Sequence, residues 1–115
     1  MQKEYIHFDS WDSLIDAVIS WGEERGIDNP HTQALKWVEE VGETIGELNH
    51  ERLGDDYRDG HGDSLVSQII LAHITGVSLF KSLEEAYNEI RDRKGSTHNG
   101  NFVKSEDLNG SSSSK

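Results

Sequence analysis

Between Pro30 and Asn49 the chain carries two rows of side chains that one helix would present on different faces, and no other stretch limits the fold as much. Ala34, Val38, Val41, Ile45 and Leu48 recur at alternating steps of four and three, which aligns them as one apolar seam on an α-helix. Glu40, Glu43 and Glu47 recur at steps of three and four, so they share a face roughly opposite that seam. The seam calls for burial against another element. The acids repel one another, so something outside the helix must offset that repulsion, and a hard cation is the simplest candidate.

Three further helices and a hairpin follow from the rest of the chain. Asp9 or Ser10 can cap a helix over 10–24, with Trp11, Leu14, Ile15, Val18 and Trp21 on its apolar face. Asn29 then reads as an N-cap and Pro30 as the first residue of a helix over 30–49. A third helix is expected over 57–75. It is apolar nearly all round from Leu65 to Ile74, which places it in the centre of a bundle or at a subunit interface. Ser82 and Glu85 form a capping box for a fourth helix over 82–94, closed by Gly95. Asn99-Gly100 between short β-capable segments predicts a hairpin over 96–104. Residues 105–115 end in four serines before Lys115 and read as a disordered tail. The expected architecture is all-α, a four-helix bundle over 1–104 with a short C-terminal β-hairpin.

Charge narrows the function. The chain has 22 acidic residues against 11 Lys plus Arg in 115 residues, a net charge of -11, which argues against nucleic acid as a partner. Nine acids lie between Glu39 and Asp63 against only Arg52 and Arg58, whereas Arg91, Arg93 and Lys94 cluster later. That polarity suits cations bridging protein carboxylates to a polyphosphate, and it also suits a plain soluble acidic surface. The absence of cysteine fits a reducing cytoplasm. No apolar run is long enough to cross a membrane, and no basic leader opens the chain, so a cytoplasmic location without membrane contact is expected.

A second acidic group, Asp55-Asp56-Tyr57-Arg58-Asp59-Gly60-His61-Gly62-Asp63, has two readings. If it is helical, Asp56, Asp59 and Asp63 share a face that continues into Val66, Ile70 and Ile74, so the acids point toward a partly buried place. Buried carboxylates are costly unless paired or bound to metal. Gly60 and Gly62 favour the other reading, a loop with Asp63 capping a helix that begins at Ser64. An EF-hand fails on spacing, because Tyr57 and Val66 stand where acids are needed. There is also no His-Glu-x-x-His pattern, no phosphate-binding Gly-x-x-x-x-Gly-Lys-Ser/Thr loop and no obvious nucleophilic triad.

Glu39-Glu40-Val41-Gly42-Glu43 preceded by Gln33 and Lys36, then Gly62-Asp63-Ser64-Leu65-Val66, then Ala86 to Gly95, together resemble the small MazG-like nucleotide pyrophosphohydrolases of phages and bacteria. The likeness runs from about Pro30 to Lys104 and includes the Asn-Gly hairpin. It implies an all-α, oligomeric protein, a homodimer or homotetramer, that hydrolyses nucleoside triphosphates to monophosphate and pyrophosphate with Mg²⁺, for which Mn²⁺ can substitute. Carried over by position, Glu40, Glu43 and Asp63 are metal ligands. The family's fourth carboxylate is replaced by Gly60, and Asp59, one helical turn from Asp63, can stand in. Glu39 and Glu43 are the candidate catalytic bases. Lys36, Arg91, Arg93 and Lys94 are candidates for the phosphates, and Trp37 and Asn88 complete the expected substrate contacts. A nucleotide-binding regulator without turnover and an acidic helical interaction module are the alternatives.

Overall fold

A computed structural model describes residues 3–108. In chain order it holds α1 (Trp11–Glu24), α2 (Pro30–Asn49), α3 (Asp55–Ile74), α4 (Leu79–Ile90), β1 (Gly95–His98), β2 (Asn101–Lys104) and a final helical turn, α5 (Ser105–Leu108). Contacts divide the chain into two units, Met1–Leu79 and Phe80–Lys115.

In the first unit the caps that start α1 and α2 are the ones their sequences predict. Ser10 Oγ accepts from Ser13 N at 3.2 Å, and Asn29 Oδ1 accepts from Thr32 N at 3.0 Å with Pro30 next in line. All three helices stop through the same pair of backbone bonds, in which a left-handed residue after the last turn returns two amides to the helix. Gly26 (φ 68°) and Gly76 (φ 75°) take that role after α1 and α3. After α2 it falls to Glu51 (φ 58°), a conformation that costs a side chain about 1–2 kcal/mol.

α3 is the axis of this unit, with α2 packed along it on one side and α1 on another. Its Ile69, Ile70 and Ala72 are the buried apolar side chains among the described residues. Gly22 of α1 lies directly against Ile70, where an added Cβ would sit 3.3 Å from the isoleucine side chain. On α1, Ile15 and Val18 are half-buried, whereas Trp11, Leu14 and Trp21 stay exposed.

The α2 seam departs from expectation. Val38 is 66% exposed, and Val41, Ile45 and Leu48 are exposed as well. The line that meets α3 instead runs through Gln33 and Thr44, with half-buried Trp37 at a similar helical angle, and Gln33 Nε2 donates to the Ser67 carbonyl at 3.1 Å. At about 100° per residue, that line falls between the two rows, with the seam about 80° to one side and the acids about 70° to the other. Small residues on α3 explain the choice. Gly60, Ser64 and Ser67 share one face, so the backbones approach closely there, and bulky apolar side chains would hold the helices apart.

The second unit begins within α4. This helix starts at Leu79, so Ser82 and Glu85 lie inside it, and the expected capping box does not open it. Ser78 stands immediately before the first helical residue and offers a cap one turn earlier. The helix ends at Ile90 rather than Lys94, because Gly95 belongs to β1. A side chain at Gly95 would run into the Val103 carbonyl and the Phe102 ring, so the hairpin requires glycine there. The hairpin pairs Gly95 with Lys104, Ser96 with Val103, Thr97 with Phe102 and His98 with Asn101. Asn99 (φ 52°) and Gly100 (φ 82°) make its two-residue turn with the positive angles such a turn demands. Residues 105–108, expected in a disordered tail, form α5 against the hairpin, and Ser105 N donates to the Lys94 carbonyl at 2.7 Å. The remainder of that expected tail, 109–115, lies outside the described residues. Among the described residues, no single helix is long and apolar enough to cross a membrane.

Candidate functional site

The helical reading of residues 55–63 holds, since Gly60 and Gly62 both lie within α3. α2 and α3 run antiparallel, Gln33 meeting Ser67 toward one end of the contact and Thr44 meeting Gly60 toward the other. Because each acidic row lies beside its own helix's contact line, the two rows face across a cleft of about 410 Å³. Six carboxylates line it: Glu40, Glu43 and Glu47 from α2, and Asp56, Asp59 and Asp63 from α3.

Gly60 has a steric role at this point. A Cβ there would overlap Thr44 Oγ1 and lie 3.1 Å from Thr44 Cβ. Thr44 is buried and donates its hydroxyl to the Glu40 carbonyl at 2.8 Å, so it cannot swing away freely. Ser64 Oγ donates to the Gly60 carbonyl at 2.6 Å, keeping that hydroxyl on its own helix as well. Any larger residue at position 60, glutamate included, would push the two rows of acids apart.

Two of the six carboxylates already hold a cation. Lys36 Nζ contacts Glu40 Oε1 at 2.9 Å and lies 3.7 Å from Glu39. The hydrogen bond and charge of Glu40, followed by the charges of Glu39 and Glu43, hold the Lys36 ammonium above its usual pKa. Arg52 reaches Glu47 with two donors, Nε to Oε1 at 3.1 Å and Nη2 to Oε2 at 2.9 Å. That pair holds the Glu47 carboxyl below the usual carboxylate range. Glu43, Asp56, Asp59 and Asp63 make no salt bridge among the described residues. As the side chains stand, no three of the described His, Asp or Glu residues converge closely enough to cage an ion.

The four expected metal ligands, Glu40, Glu43, Asp59 and Asp63, therefore line one cleft. Glu47 and Asp56 join them, and their spacing from Glu43 and Asp59 on the same helical faces was the signal for both. Glu39 is exposed and outside the cleft lining, and Trp37 is half-buried and likewise outside that lining. In the second unit, Asn88 Nδ2 donates to the Glu84 carbonyl at 2.9 Å and Arg91 pairs with Asp92 at 3.4 Å. Arg93 and Lys94 line a separate cleft of about 570 Å³, together with Lys104 and the acids Glu89, Asp92 and Glu106.

The architecture defines a mainly helical protein with a small antiparallel hairpin and a carboxylate-lined cleft between two of its helices. Compared with protein-family models, curated proteins and solved structures, the chain matches none.

Proposed function

We propose that this chain is a Mg²⁺-dependent nucleoside triphosphate pyrophosphohydrolase of the MazG-like kind, built as a four-helix bundle and converting a (d)NTP and water to the (d)NMP and pyrophosphate. One observation carries the reading: Glu40, Glu43, Asp59 and Asp63 come from two helices and line the same cleft. The donor set suits the ion, because magnesium takes hard oxygen ligands and completes its shell with water and substrate phosphates. When bound, magnesium would supply charge neutralisation along the phosphate chain and lower the pKa of a water.

The protein's own groups do the rest. Among the described residues Glu43 has no salt-bridge partner, which leaves its carboxylate open to accept a proton from the attacking water. Glu39, at the rim and partly engaged by Lys36, is the second candidate base. Water attacks phosphorus, the bond to the bridging oxygen breaks, and pyrophosphate leaves. Lys36 supplies positive charge for the phosphates, and Trp37 is the proposed nucleoside contact.

The assembly we propose is a homodimer or homotetramer. With Ile69, Ile70 and Ala72 as its buried apolar side chains, the described chain has little core of its own, and the exposed seam on α2 supplies apolar surface for a second copy. Lack of cysteine supports a cytoplasmic setting. A second reading, a nucleotide-binding regulator without turnover, draws on the observation that no three of the described His, Asp or Glu residues converge as placed. Pyrophosphate release from a panel of NTPs and dNTPs, with and without Mg²⁺ or Mn²⁺, decides between them. Turnover lost in Glu43→Ala and Asp63→Ala supports the enzyme, and binding without turnover supports the regulator.

A further inference from the structure

Phe80, Leu83, Tyr87 and Ile90 form an apolar stripe on α4 at steps of three, four and three, and each is at least half exposed. Within the second unit the hairpin and α5 pack on one another, while α4 packs along neither. A helix of 12 residues is marginal in water without such packing. The spacing of the stripe reads the same from either end. An antiparallel second copy therefore sets Phe80 on the partner's Ile90 and Leu83 on the partner's Tyr87.

Charge favours that orientation. Glu84 flanks the stripe, and Arg91 follows on the same flank two turns later, its amide still donating to the Tyr87 carbonyl at 2.9 Å. Helical side chains lean toward their N-terminus, which in an antiparallel pair carries Glu84 toward the partner's Arg91, twice over. The present contact of Arg91 with its exposed neighbour Asp92, at 3.4 Å, is too weak to compete. A parallel pair would set Glu84 by the partner's Leu79 and Arg91 by the partner's Ala86, with no ion pair. The second unit also carries six acidic residues and six Lys plus Arg, so the net charge of -11 falls wholly on the first. Two copies thus meet through α4 without the repulsion that the first unit imposes.

We infer that α4 is a self-association surface, on which two copies of the chain pair their α4 helices antiparallel about a two-fold axis. The surface is separate from the α2 seam and independent of what the carboxylate cleft binds. Two aromatic and two aliphatic side chains from each copy bury on the order of 1,000 Å² in all, the low end for a specific interface. The pairing is accordingly weak and set by concentration.

Sedimentation equilibrium of the full chain tests it, in a Val38→Asp background so that the α2 seam contributes nothing. Monomer near ~10 µM should give way to dimer toward ~1 mM, with a Kd on the order of 100 µM. Leu83→Asp should weaken the association at least about tenfold. Glu84→Arg, which sets like charges together, should weaken it about three- to tenfold, and adding Arg91→Glu should restore it to within about twofold. Residues 84 and 91 stand about 10 Å apart along one helix, so that rescue is available only between two helices. Monomer throughout the range, association indifferent to Leu83→Asp, or a double reversal no better than Glu84→Arg alone would each overturn the inference.

Discussion

Replacing Gly60 by alanine probes the contact that brings the two acidic rows together. An alanine gains about 1 kcal/mol over glycine inside a helix from backbone entropy alone. At Gly62, two residues on, an added Cβ meets nothing within 4 Å, so Gly62→Ala should show that gain undiluted. At Gly60 the same methyl overlaps the hydroxyl of buried Thr44 and sits 3.1 Å from its Cβ, and overpacking of this kind costs about 1–3 kcal/mol. The two variants should therefore differ by about 1–3 kcal/mol, on the order of 4–8 °C in melting temperature per kcal/mol for a domain of this size. Thermal and urea denaturation at matched protein concentration measure the difference. Adding Thr44→Ala should shrink the Gly60→Ala penalty, because the overlapping oxygen is removed. If Gly60→Ala stabilises as much as Gly62→Ala, the helices do not touch there, and the shared cleft is lost with that contact.

Other consequences are simpler to read. Glu51→Gly should raise stability by about 1 kcal/mol, since it relieves the left-handed backbone after α2, as followed by urea denaturation. The Glu47 carboxyl is held below its ordinary 4.5 by Arg52. Its contribution to stability is thus complete above that value and fades as the pH falls through the lower folded value. Arg52→Gln should flatten the acid limb of a melting-temperature profile below pH 4.5. Lys36 has the opposite sign: its ammonium is held above 10.5, so its contribution is present below that pH and fades as the pH rises further, and Lys36→Gln should remove that alkaline loss. Val38→Asp places a charge on the exposed α2 seam, and under the proposed assembly through that seam it should shift the sedimentation coefficient from that of an oligomer to that of a monomer.

Local chemistry made much of this fold readable from the sequence. Asn29-Pro30 marked the start of α2, and Asn99-Gly100 marked the hairpin turn, because each needs only its own side chain and backbone angles. The start of α4 was not readable in the same way, since Ser78 and Ser82 offer competing caps one turn apart. The acidic rows were placed correctly on their helical faces, and four expected ligands came to one cleft. Periodicity gives the faces of a helix but does not say which line between them meets a neighbour. On α2 that line ran through Gln33 and Thr44 and left Val38 exposed, because Gly60, Ser64 and Ser67 allow the closest approach. Gly60 itself reads in sequence as a helix breaker or a missing ligand, and only the neighbouring helix gives it a steric role.

Under the proposed function, α2 and α3 share a divalent cation. Paramagnetic broadening by substoichiometric Mn²⁺ tests it most directly, read at every backbone amide of the isotopically labelled chain. Signals from Glu40, Glu43, Asp59 and Asp63 and their immediate neighbours should disappear together at the lowest Mn²⁺, before those of the other acidic stretches. Broadening spread evenly over the acidic surface, or confined to one of the two helices, would contradict it.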